Sequence, residues 1–360
     1  MSLFLSSAWD YTETSYKALY ASFSQRVKVQ QNLPIQGYNV RYFVGAYATS
    51  PAWSKWDPAL EREYYQQLKT FNHVKGLEHP FVGTLHPHDE QWFLENIDPH
   101  WDFVLTCVPG IMNALGDNPQ FGIASNNEQG RAAALAFMQK ACAAIGKLNS
   151  YCGRQAVKAI EVQTAPNQSV ASSSAAALRV SLETMLSWDW QGANIVIEHC
   201  DTLLPGQTPA KGFLSLTDEI KVLSQLNQTR GKDMGIVINW GRSAIETRST
   251  EGVIEHITQA RDSGLLKGLM FSGASDKDSP YGVWKDTHMP ALPAQEGEIG
   301  AEYSLLSESQ IHQCLAACGD ALSADTIIGI KLGVRPKDAP LAQRLAYNQA
   351  ALAMLDHYFA

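Results

Sequence analysis

Short runs of β-branched and apolar residues alternate along this chain with stretches whose apolar positions recur every three or four residues. Runs of the first kind predict buried strands and the second predict amphipathic helices. Eight strand candidates follow one another from Arg41: RYFVGAYA (41–48), VKGLEHPF (74–81), DFVLTCVP (102–109), VKAIEVQT (157–164), NIVIEHCD (194–201), GIVINWG (235–241), KGLMFSG (267–273) and TIIGIKLG (326–333). Helical patterns fill the gaps. Asp57 before Pro58 reads as an N-cap with proline in the first turn, and Leu60, Tyr64, Leu68 and Phe71 then share a face. Leu135, Met138, Cys142 and Ile145 form a second stripe, and Leu341, Leu345, Leu352 and Leu355 a last one. Ser243 with Glu246, and Ser307 with Gln310, have capping-box spacing.

Strand followed by helix, eight times over, predicts an α/β protein built as a single (β/α)8 TIM barrel over residues 41–360. The competing fold is an open doubly wound sheet. No G-x-G-x-x-G or Walker sequence follows any strand, which removes the nucleotide chemistry such sheets usually carry. Residues 1–40 show no clear periodicity and are expected to be an N-terminal extension. Two readings of it stand: a peripheral helix and linker, or a segment outside the functional unit, with Val40 marking an alternative start.

Composition narrows the partners. The chain has 28 Lys plus Arg against 36 Asp plus Glu, a net charge of −8, so a nucleic acid is not the expected partner. MSLFLSSAW is too short and polar for a secretory h-region, and no apolar run reaches the ~20 residues that span a bilayer, so no membrane association is expected. Cysteines 107, 142, 152, 200, 314 and 318 include no C-x-x-C pair, which fits a reducing, cytoplasmic location.

In such a barrel the chemistry sits where strands end, and alternate residues point inward. NIVIEHCD therefore raises a question, because a buried run finishes in Glu198, His199, Cys200 and Asp201. Val196, Glu198 and Cys200 share one side of it, and Ile197, His199 and Asp201 the other. Glu161 and Gln163 share a side in the fourth strand; Glu78 ends the second, Asn239 the sixth and Lys331 the eighth. A charge inside an apolar strand is costly unless it is paired or meets a ligand. A single such residue is explained by an ion pair between strands. Four of them, Glu78, Glu161, Glu198 and Lys331, near one rim point to a site. His86 and His88, two apart in LHPHDE, read as a surface loop rather than metal ligands.

Two loops belong to the same rim. The stretch after the seventh strand, 272–307, is the longest, and its Trp284, Lys285, Asp286 and His288 are expected to close over the site as a lid. The other reading of that loop is a helix cover or a contact in a homo-oligomer. Lys211, after the fifth strand, is placed to hold an anionic or polyhydroxylated substrate.

GLEHP (76–80) and IVIEHCD (195–201) resemble the second- and fifth-strand elements of the xylose-isomerase-like sugar isomerase and epimerase barrels, over about residues 41–333. The whole chain is also similar to a bacterial group, domain of unknown function 4862, in which VGAYATSP is the first strand. The first resemblance implies a carbohydrate or related hydroxy-carbonyl substrate and a divalent metal ion. Its ligands would be a glutamate on strand five, an aspartate or similar group on six, a histidine on seven and a glutamate on eight. Only Glu198 matches; strand six has Asn239, seven has Ser272 and eight has Lys331. An ammonium repels a divalent ion, so the expectation is either no cofactor or a divalent metal held by Glu198 with ligands such as His199, Asp201 or His288. Glu198, Glu161 and Lys331 are the expected catalytic residues. Glu78, Gln163, His199, Asp201, Lys211, Asn239, Trp284 and His288 are expected to bind substrate. Proton transfer beside a carbonyl, with Glu198 or Glu161 as base, is the leading chemistry. An aldolase or lyase using Lys331, a glycosidase using paired carboxylates, and a non-catalytic sugar-binding barrel are the alternatives.

Overall fold

The computed structural model describes residues 41–52, 55–295 and 297–360. The expected extension over residues 1–40 lies outside them. Eight parallel strands close into a barrel in sequence order: β1 (Tyr42–Val44), β2 (Val74–Pro80), β3 (Asp102–Thr106), β4 (Val157–Val162), β5 (Asn194–His199), β6 (Gly235–Asn239), β7 (Leu266–Phe271) and β8 (Ile327–Ile330). Helices connect successive strands, and this is a TIM barrel, as the alternating pattern predicts. Among the described residues no helix is long and apolar enough to cross a membrane.

Seven strands fall within their predicted runs and β7 starts one residue early, at Leu266, but most runs overshoot the ladder. Ala46–Thr49 is a short helix, Val108 opens the helix to Asp117, and Trp240 opens the helix to Thr247. Apolar residues continue across each boundary, so hydrophobicity alone did not locate the turn. Caps did better. Asp57 accepts from the N–H groups of Ala59 and Leu60, and Ser307 from that of Gln310. Ser243 and Glu246 form no capping box: Asn239 is the N-cap of that helix, accepting from Arg242 N–H at 3.3 Å, and Ser243 lies inside it. The His86 imidazole is buried against Glu61 at 3.3 Å, not set on an exposed loop.

The barrel interior is layered. Phe43, Val104, Ala159, Val196, Val237, Met270 and Ile327 form one buried apolar cluster, with a residue from every strand but β2. Gly76 supplies β2's backbone at the level of Asp102, where a Cβ would come within 1.7 Å of the Asp102 carbonyl oxygen. Two residues further along the same strand faces stand Glu78, Thr106, Glu161, Glu198 and Asn239, with Ser272 just past β7. Lys331 joins them from the end of β8, its N–H bonded to the Phe271 carbonyl at 2.9 Å. An apolar floor thus carries a buried polar layer above it.

Gly45 makes room for that layer. A Cβ there would meet Glu78 Oε2 at 2.9 Å and Lys331 Cγ at 3.0 Å. Gly45→Ala is expected to push the Glu78 and Lys331 side chains apart, lowering stability by about 1–3 kcal/mol. Chemical denaturation of the two proteins measures this.

Candidate active site

The polar layer is built around one carboxylate. Glu198 Oε1 accepts from Lys331 Nζ at 2.9 Å and Asn239 Nδ2 at 3.0 Å. Its Oε2 accepts from Gln163 Nε2 at 3.0 Å and Thr106 Oγ1 at 3.2 Å, and pairs with Arg242 Nη1 at 2.8 Å. Burial alone would raise the pKa of this carboxyl, but Arg242, Lys331 and the hydrogen bonds from Asn239 and Lys331 outweigh it and hold Glu198 well below the usual carboxylate range. It stays ionised.

Lys331 Nζ also pairs with Glu78. The ammonium is fully buried, and burial opposes its charge; Glu198 and Glu78 more than compensate, so its pKa lies well above that of a free lysine. Glu161 is different. Both its oxygens are buried without a donor from any lysine, arginine or amide among the described residues. Burial first, then the negative charges of Glu198 and Glu78, raise its pKa well above the ordinary value, and Glu78 is raised for the same reason despite Lys331. Oxygens of Glu78, Glu161 and Glu198 lie within 4.8 Å of one another. Three carboxylates so close cannot all ionise, and Glu161, lacking a cation of its own, is the one that holds a proton.

The long loop after β7 reaches this layer from outside. Asp286 Oδ2 lies 2.9 Å from Lys211 Nζ and 3.2 Å from Arg242 Nε. Burial would raise the Asp286 carboxyl, but Lys211 and Arg242 hold it well below its usual range. His288 Nδ1 shares a hydrogen bond with Ser272 Oγ at 3.0 Å, and burial keeps its ring neutral, with a pKa lowered to about 3. The loop is tied down by backbone bonds between Gly273 and Met289 and by the Gly333 N–H to the His288 carbonyl. A chain of charges therefore runs from Lys211 through Asp286, Arg242 and Glu198 to Lys331 and Glu78.

Residues 43–347 match the model of a family described as Domain of unknown function (DUF4862). The chain belongs to this family. An uncharacterized protein of Salmonella typhimurium strain LT2 is 33% identical over 297 residues, which cover 82% of this chain and 90% of that one. Among solved structures, a D-tagatose 3-epimerase-like protein superposes with a TM-score of 0.53 at 13% identity, covering 89% of this chain and 98% of its own. A xylose isomerase-like TIM barrel/4-hydroxyphenylpyruvate dioxygenase fusion protein gives 0.51 at 11% identity, over 88% of this chain and 43% of its own. At such identities these likenesses establish the barrel fold alone.

In this DUF4862 barrel Glu78, Glu161, Gln163, Glu198, Asn239 and Lys331 come together, and the loops bring Lys211 and His288 to the same rim. His199 is placed elsewhere, and Asp201 shapes the loop at that rim. His199 lies on the outward side of β5, with Nδ1 2.8 Å from Glu219 Oε2 and Nε2 3.1 Å from Glu246 Oε2. Burial works against its charge, yet the two carboxylates push its pKa up to about 10. Asp201 accepts from the backbone N–H of Ala210 at 2.6 Å and of Lys211 at 2.9 Å, folding the loop that delivers Lys211. Both residues were expected to bind substrate; strand parity turns His199 away from the barrel interior, while Asp201, past the end of β5, lies beside Lys211 and Asp286. Trp284 carries the Arg248 guanidinium over its ring at 5.0 Å. Arg242 is the member that sequence reading missed. It stands in a helical first turn just past Asn239, and only its position three residues beyond a polar strand tip hinted at it.

Glu198→Gln is expected to leave Lys331 and Arg242 short of a buried counter-charge and to destabilise the barrel by about 3–5 kcal/mol. The folded-state pKa of Glu198 is depressed below its unfolded value of about 4.3, so its contribution is complete above that pH and is lost as pH falls. Stability measured against pH should therefore decline less steeply on the acid side in Glu198→Gln than in the parent protein.

Proposed function

We propose that this protein is an enzyme that moves a proton at a carbon next to the carbonyl of a sugar, sugar phosphate or related hydroxy-carbonyl compound, in the manner of an isomerase or epimerase. The observation that carries the reading is Glu161: a fully buried carboxyl, raised in pKa, without a cation of its own, beside a carboxylate and an ammonium. Such a group can hold a proton and give it up to a reacting carbon or oxygen beside it. Glu198 is unsuited to that work, since five donors hold it as a permanent anion. Its part is to fix Lys331 and Arg242. The Lys331 ammonium then stabilises negative charge as it develops on the substrate oxygen, in a site shielded from water. Asn239, Gln163 and Lys211 supply polar contacts at the rim, and the loop bearing Asp286 and His288 acts as the lid.

A divalent ion among these glutamates does not fit the residues present. Lys331 Nζ occupies the space between Glu78 and Glu198, and Arg242 takes the other oxygen of Glu198. An ion held by oxygen ligands there would stand beside two buried cations. The chemistry at the barrel mouth is accordingly read as independent of a metal. The same pairing counts against a Schiff base at Lys331, because an amine must be neutral to attack a carbonyl and two carboxylates keep this one protonated.

The test is solvent deuterium incorporation into a panel of aldoses, ketoses and their phosphates, followed by NMR. The parent protein is expected to exchange a hydrogen beside the carbonyl of at least one compound, and Glu161→Gln to lower the rate by about 10²–10⁴. Glu161 is raised in the folded state, so ionising it opposes folding as pH rises; Glu161→Gln is therefore expected to keep or gain thermal stability while losing activity. Binding of a panel member without exchange would replace this reading by a non-catalytic sugar-binding barrel. Borohydride with substrate is expected to leave Lys331 unmodified, and an adduct there would replace it by the aldolase or lyase chemistry.

A further inference from the structure

A second cluster of ionisable groups lies on the other side of β5, away from Glu198. His199 comes from β5, Glu246 from the helix Trp240–Thr247, and His256 from the helix Thr250–Asp262. One ligand atom from each lies within 4.8 Å of the other two. His199 Nε2 is 3.1 Å from Glu246 Oε2, and His256 Nε2 is 3.6 Å from Glu246 Oε1. Ligands at about 2.0–2.1 Å around a tetrahedral zinc ion stand about 3.3 Å apart, so these separations bracket that geometry.

The groups behind the three atoms are arranged as they are around metal-bound imidazoles. The remaining nitrogen of His199, Nδ1, is 2.8 Å from Glu219 Oε2, and Glu219 in turn accepts from Thr164 Oγ1 at 2.7 Å. The remaining nitrogen of His256, Nδ1, is 3.0 Å from Ser243 Oγ. Each ring is thus oriented through one nitrogen while the other faces Glu246. Two buried carboxylates, Glu219 and Glu246, serve the cluster, and among the described residues neither pairs with a lysine or arginine. The His199 imidazolium answers one of these two charges; a divalent cation that replaces its proton would answer both. Exposure of His199, Glu246 and His256 is 0%, 8% and 7%, which leaves a narrow edge for entry.

We propose that His199, Glu246 and His256 form a binding site for a divalent transition-metal ion of the zinc class, distinct from the glutamate layer inside the barrel. Two imidazoles and a carboxylate suit zinc and its neighbours better than magnesium or calcium, which prefer oxygen alone. The ion would join β5 to two helices, one of which carries Arg242 at its start, and so would brace the guanidinium on Glu198 from behind. No part of the proposed proton transfer passes through it, so the two proposals stand or fall separately.

The full chain, stripped with a chelator and dialysed, is titrated with Zn²⁺ by calorimetry, and with Co²⁺ by visible absorption. One equivalent of Zn²⁺ per chain, a higher melting temperature and the absorption of four-coordinate Co²⁺ are expected. His256→Gln should weaken Zn²⁺ binding by at least about 10–100-fold, the range for disturbing even an outer partner, and Ser243→Ala, a milder change that keeps all three ligands, by about tenfold. Glu161→Gln should bind as the parent does. No binding by the parent chain overturns the proposal, as does equal affinity in the parent, His256→Gln and Ser243→Ala. Zinc kept by His256→Gln and lost from Glu161→Gln also overturns it, placing the ion inside the barrel.

Discussion

The ion pair between Glu198 and the buried cations Lys331 and Arg242 is the constraint on which the barrel mouth depends. Three separate stretches of chain, at the ends of β5 and β8 and just after β6, are held together by it. Without the carboxylate Lys331 would keep only Glu78 and Arg242 only Asp286 as a counter-charge; without the cations the carboxylate could not ionise there. Everything else at the mouth is arranged around that requirement. Gly45 leaves space for Lys331 to reach Glu78, Asn239 and Gln163 complete the hydrogen bonding of Glu198, and Asp286 comes in from the long loop to answer the far side of Arg242.

Charge accounting gives the layer its chemical character. Glu78, Glu198 and Asp286 face Lys331, Arg242 and Lys211, three anions against three cations. Glu161 is left over and holds a proton. A carboxyl that is neutral because its neighbours are already paired differs in character from Glu198, which is fully bonded and ionised. Two glutamates that look alike in the sequence, each in the middle of a β-rich run, are separated in role by their partners.

Polar side chains on the outward faces form a second system. His199 and Glu246 lie between the barrel wall and the helices, where they tie β5 to the segment that carries Arg242. Glu246 accepts from the Thr202 N–H at 2.9 Å as well, so the chain leaving β5 is fixed from the same carboxylate. The histidine next to Glu198 thus ties β5 to its covering helices, one residue and one strand face away from the glutamate layer.

Much of this was legible in the chain. Periodicity located eight strands and the closed topology, because a strand buried on both faces reads as a continuous apolar run and a helix as a repeat of three to four. Parity grouped Glu161 with Gln163 and set Glu198 on the opposite side from His199, since side chains alternate along a strand whatever the fold around it. His199 was still expected to bind substrate, and only the closed barrel shows it facing outward. Strand ends were not legible, because the apolar run continues into the first turn after β1, β3 and β6. Nor was Arg242: a helical arginine reads as solvent-facing until the barrel closes and puts its guanidinium 2.8 Å from Glu198. The sequence by itself determined which residue types reach the rim. Only the tertiary structure decided which carboxyl is neutralised by a cation and which keeps a proton, because that depends on distances between strands far apart in the chain.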